Sequence, residues 1–94
     1  MYHYILVRYN DRAADREDLR QEIAALFDRA LELPGVEEVR LHSAVIESPA
    51  RYDLMIVMRM QKDALAAFDA SPIHREWKER FARYIDAKAI FDCE

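Results

Sequence analysis

At 94 residues the chain has room for one domain and one core, so residues 1–94 read as a single folded unit. Apolar residues make up 52% and glycine occurs once, which excludes disorder and fibrous repeats; 14 Lys+Arg against 18 Asp+Glu, scattered and summing to −4, argue against a nucleic-acid partner. No apolar run approaches the roughly 18 residues of a membrane span. The opening Met1-Tyr-His-Tyr-Ile lacks the features of a signal peptide, and the single cysteine, Cys93, allows no disulfide within the chain, so a cytoplasmic protein is expected.

Residues 2–9, YHYILVRY, are aromatic and β-branched and predict a strand covered on both faces. NDRAAD breaks the pattern, with Asp15 expected to cap a helix and Asp18 three residues on. Leu19, Ile23, Leu26, Phe27, Ala30 and Leu33 form its apolar stripe, ending at LPG. The charges Arg16, Glu17, Arg20, Glu22 and Asp28 mostly lie off that stripe and read as solvated surface.

From Val36 to Ile46 a second strand alternates Val39, Leu41, Ser43 and Val45 against Glu38, Arg40 and His42. ESPAR makes a loop, and Tyr52 to Met60 forms a third, central strand, with its methionines filling core. Gln61 to Ala70 is a short helix with Leu65 and Phe68 inward. Ser71-Pro72 then supplies an N-cap and a first-turn proline for a helix running to about Tyr84. Ala87 to Cys93 is the last strand.

The order β-α-β-β-α-β defines an α+β, ferredoxin-like fold with one antiparallel four-stranded sheet and helices on one face. Strands apolar on both sides leave the other face wet in a monomer, and a matching sheet from a second copy would bury it. A homodimer of stacked sheets, a dimeric α/β barrel, is the expected assembly.

On a helix advancing about 100° per residue, His74 falls inside the arc of Ile73, Trp77, Phe81 and Tyr84, and so faces the sheet. A lone inward histidine most often just satisfies a backbone group. Alternation puts His3 on one face with Ile5 and Val7, and the last strand brings Asp92 near it, so that a carboxylate can orient an imidazole. Should His3 share the helix-covered face, His3, His74 and Asp92 converge on one pocket with Tyr4, Phe68, Trp77 and Phe81 for walls. His42 shares its face with Glu38 and Arg40 and reads as surface. No histidine pair has metal-ligand spacing, Cys93 has no activating neighbour in sequence, and Gly35, the only glycine, makes no phosphate loop; no metal or cofactor is expected.

HYILVRY, LPGVEEV, YDLMIVM, SPIH and AIFDCE, in this order and across nearly the whole chain, resemble the stress-responsive A/B barrel (Dabb) family. The resemblance implies a ferredoxin-like protomer that pairs through its sheet. Members of that family include a cofactor-free plant cyclase type that closes linear polyketide chains by aldol condensation. Its first-strand and helix-start histidines match His3 and His74, the latter implied as general base. Its tyrosine six residues before the helix histidine is here Phe68, which has no O–H to donate, and Ser71 stands where the family's usual His-Pro-x-His begins.

Three functions follow as expectations. The first is a dimer binding a hydrophobic or aromatic small molecule, with a stress association implied by the family. The second is a cofactor-free enzyme, cyclase-like or monooxygenase-like, in which His74 takes a proton and His3 or Tyr4 polarises a carbonyl. The third is a purely structural dimer.

Overall fold

Strict alternation sets the first strand, β1 (Tyr2–Tyr9): His3, Ile5 and Val7 are buried while Tyr2, Tyr4, Leu6 and Arg8 point to the opposite side. The computed structural model describes all residues 1–94. After β1 come α1 (Leu19–Asp28), β2 (Val36–Ser43), β3 (Leu54–Met60), α2 (Ala64–Asp69), α3 (Pro72–Phe81) and β4 (Ile85–Cys93), joined in places by short 3-10 turns. The strands form one antiparallel sheet in the order β2-β3-β1-β4, the ferredoxin-like arrangement expected from the element order.

All helices lie on one face. There Ile5 and Val7 of β1 and Leu54, Ile56, Met58 and Met60 of β3 meet the stripe of α1 and the aromatic side chains of α2 and α3 in one core cluster. Phe27 packs edge-on to Trp77 with ring centroids 5.1 Å apart, and Trp77 lies 5.6 Å from Phe81, so one aromatic row joins α1 to α3. Each such buried ring removes enough apolar surface to contribute about 1.5–3 kcal/mol.

Gly35 decides how β2 begins. It has φ +88°, and a Cβ placed there would meet the Ala64 Cβ at 2.9 Å. Its carbonyl also accepts the Gln61 N–H at 2.8 Å. Only glycine adopts this backbone at no steric cost while letting α2 approach so closely.

The opposite sheet face carries no helix. Tyr2 and Phe91 are 37% and 64% exposed there, beside the half-buried Tyr4, Leu6 and Val57. Within the chain, β1 is therefore covered on one face rather than both, because the helices pack on one side only.

Several expected boundaries shift. Asp15 does not cap α1: Asn10 accepts the Arg12 N–H at 2.9 Å and opens a 3-10 turn that ends at Asp15, while α1 starts at Leu19 without a side-chain cap. Arg16 is not simply solvated, since it binds the Tyr84 hydroxyl at 2.6 Å and pairs with Asp18 and Glu22. The second strand stops at Ser43, leaving Val45 95% exposed in the loop. The third begins at Leu54, and the Asp53 side chain just before it accepts the Tyr9 N–H at 2.8 Å. Helix α3 ends at Phe81, a 3-10 turn follows, and the last strand starts at Ile85, two residues early.

Candidate functional site

The site begins with the Ser71 cap. Ser71 Oγ accepts the His74 backbone N–H at 3.2 Å and donates to the Phe68 carbonyl at 2.6 Å, and Pro72 occupies the first turn. One buried serine thus ties the end of α2 to the start of α3 and fixes His74 relative to Phe68. The two rings meet edge to face with centroids 5.3 Å apart.

From below, β1 supplies His3. It is 3% exposed and lies on the helix-covered face, its ring centroid 6.1 Å from Phe68. The register sets His3 opposite Asp92, Ile5 opposite Ile90 and Val7 opposite Lys88. His3 Nδ1 is 2.5 Å from Asp92 Oδ1. An ionised carboxylate only accepts, so Nδ1 is the donor in this contact.

Between α3 and the β1–β4 edge lies an open cleft of about 480 Å³, lined by His3, Ile5, Asp69, His74, Trp77, Lys78, Lys88 and Ile90. Its walls are apolar at Ile5, Trp77 and Ile90. Two imidazoles sit toward one end and two lysines toward the other. His74 is partly buried, and this burial, reinforced by the nearby positive charge of Lys78, lowers its pKa below the ordinary 6.5; Asp69, 3.9 Å from Nε2, acts in the opposite direction. His74 is consequently neutral at pH 7 and able to accept a proton or a hydrogen bond. Burial, then the charge of Lys78, also lowers the pKa of Lys88, whose Nζ stands 5.8 Å from the Trp77 ring centre.

Of the residues expected at the site, His3, His74, Asp92, Phe68 and Trp77 come together. Phe68 is fully buried and supports both imidazoles from behind. Phe81 is a core residue behind Trp77 and does not line the cleft. Tyr4 lies on the opposite sheet face, 6.5 Å from Phe91, because it is one residue out of phase with His3. It cannot polarise a group held by His3. His42 is exposed on the side of the sheet away from the helices.

Five cleft residues lie outside the expected set: Ile5, Asp69, Lys78, Lys88 and Ile90. Lys78 was within reach of sequence reasoning, being one helical turn beyond His74. Lys88 and Ile90 share the alternation parity of Asp92. Asp69 ends the short α2 and carries no periodic signal. No three His, Cys, Asp or Glu side chains gather as a metal-ligand group.

These features define a ferredoxin-like α+β domain with a lateral cleft, and its fold is that of the Dabb domains. No family model matches the chain, and no curated protein matches it either. Among solved structures, it is similar to a dimeric ferredoxin-like protein of unknown function from Jannaschia sp. CCS1, with a TM-score of 0.74 and 25% identity over 99% of this chain and 96% of that one. A dimeric ferredoxin-like protein of unknown function from Thermobifida fusca gives 0.77 at 17% identity, over 96% and 85% of the two chains. A Dabb family protein with a ferredoxin-like fold from Mesorhizobium loti gives 0.66 at 14%, over 99% and 93%.

Proposed function

We propose that the chain forms a homodimer by stacking its open sheet faces into a barrel, and that each protomer binds a small aromatic carbonyl compound in the cleft beside α3. Support for the dimer comes from the apolar open face and from the Jannaschia and Thermobifida proteins, both described as dimeric. The observation that carries the binding reading is the convergence of His3 and His74 against Phe68 in a cleft that Ile5, Trp77 and Ile90 also line, with Asp92 orienting the first imidazole. Aromatic or alicyclic surface would fill the space between Trp77, Ile5 and Ile90, and a ligand oxygen would meet the imidazoles.

Trp77, the only tryptophan, lines the cleft and reports directly on its occupancy. Titration with acetophenone, 4-hydroxyacetophenone and 4-acetylbenzoate should give a saturable change in its emission for at least one compound. That compound should bind about 5–10-fold more weakly to His74→Leu, the loss of one hydrogen bond. No saturable change across the panel would refute the binding reading and favour a purely structural dimer.

A second reading, cofactor-free proton transfer, is favoured by the lowered pKa of His74. Neutral at pH 7, His74 would take a proton from carbon next to a bound carbonyl while a donor stabilises the resulting enolate. Phe68 offers no hydroxyl for that purpose, which leaves imidazole or lysine N–H groups. The test is exchange of the α-hydrogens of a bound ketone for deuterium in heavy water. Exchange lost in His74→Gln with the Trp77 response retained supports catalysis; no exchange by the wild-type protein excludes it for that ketone.

A further inference from the structure

Only three of the 14 basic residues are lysines, and two of them, Lys78 and Lys88, line the same cleft. Neither forms an ion pair, whereas Arg16, Arg29, Arg40, Arg59 and Arg80 all do. In a chain of net charge −4, two unpaired ammonium groups beside one cleft are an uncompensated positive end. Each repels the other, so an anion between them would relieve a cost present in the empty protein.

The arrangement along the cleft is ordered. On α3, His74 and Lys78 are four residues apart on one face, about 6 Å along the axis. Along the sheet the facing pairs run His3–Asp92, Ile5–Ile90, Val7–Lys88, so the imidazole end and the lysine end are separated by an apolar step. Asp69, the one carboxylate lining the cleft, stands at the imidazole end within 3.9 Å of His74 and does not neutralise the lysines.

We infer that the cleft selects aromatic carboxylates bearing a second oxygen opposite the acid, the carboxylate held between Lys78 and Lys88 and the second oxygen at His74 and His3. A para-substituted benzoate matches the spacing of about one helical turn between His74 and Lys78 on α3, and Lys88, about 13 Å along its strand from Asp92, reaches back toward α3 with Nζ 5.8 Å from the Trp77 ring centre. This rests on the binding reading above and names the ligand class for that cleft.

Calorimetric titration of the intact protein with 4-acetylbenzoate and with 4-acetylbenzamide tests it, since the two are close in shape and only the acid is charged. The acid is expected to bind about tenfold more tightly at low salt and to lose that advantage as ionic strength rises. Lys78→Gln and Lys88→Gln should each weaken the acid about three- to fivefold, the range of a solvent-exposed charge pair, and leave the amide unchanged. Lys62→Gln, outside the cleft, should alter neither. Equal affinities of acid and amide, or lysine variants that weaken both alike, would overturn the anion clamp while the binding reading stands. If neither compound binds, the clamp fails, and the binding reading fails with it if the remaining carbonyl compounds are also silent.

Discussion

His3 and Asp92, 89 residues apart in sequence, meet across the β1–β4 pair with Nδ1 and Oδ1 separated by 2.5 Å. The contact ties the first strand to the last and holds the tautomer of a ring that is otherwise buried. It is both a clasp for the sheet and the contact that fixes the His3 ring beside the cleft.

Replacing Asp92 by Asn should therefore act on tautomer and on stability together. The ring nitrogens of His3 should change their ¹⁵N shifts toward a mixture of tautomers, and chemical denaturation should show a loss of about 1 kcal/mol. Unchanged ring shifts would mean that Asp92 does not orient His3.

Stability should depend on pH through His74. Its pKa is lowered by folding, so the unfolded chain takes up a proton first as pH falls. The contribution is intact above the ordinary value of 6.5 and is lost as pH drops from there through the folded value. Unfolding free energies measured between pH 7 and 5 should fall more steeply for the wild type than for His74→Gln. Parallel curves would contradict the sign assigned to this shift.

Gly35→Ala should destabilise the fold by about 2 kcal/mol or more. A residue with a Cβ is strained at positive φ by about 1–2 kcal/mol, and the new methyl collides with Ala64. Ala64→Gly in the same chain should relieve the collision and leave the backbone strain. A single variant as stable as the wild type would show that the β2 start can move away from α2.

The open sheet face predicts an assembly. Sedimentation equilibrium should give a dimer of the 11.1 kDa chain, and Tyr4→Asp with Phe91→Asp, which places two charges on that face, should give a monomer with unchanged circular dichroism. A wild-type monomer would remove the stacked-sheet account.

Most of the fold could be read from the sequence because alternation and helical spacing are strong at its centre. The buried series Leu54, Ile56, Met58, Met60 and the α1 stripe are unambiguous. The ends were less legible: Asn10 opens a separate 3-10 turn that takes up Asp15 before α1 begins, and where the chain turns is not encoded by periodicity. At the site, His3, His74 and Asp92 were recoverable because parity and topology fix them. Tyr4 was misassigned by chemistry against its own parity. The lysines were overlooked because a charged residue at an edge strand or on a rim reads as solvated surface until the cleft beside it is seen.

The most direct test of the shared site is an NMR titration of the histidine side chains with aromatic and β-keto compounds. His74 is expected to titrate below 6.5, and the rings of His3 and His74 should shift together, with one affinity, on adding a single compound. If His74 titrates at the ordinary value and no compound moves either ring, the cleft is not a ligand site and the account of this protein as a binding dimer is wrong.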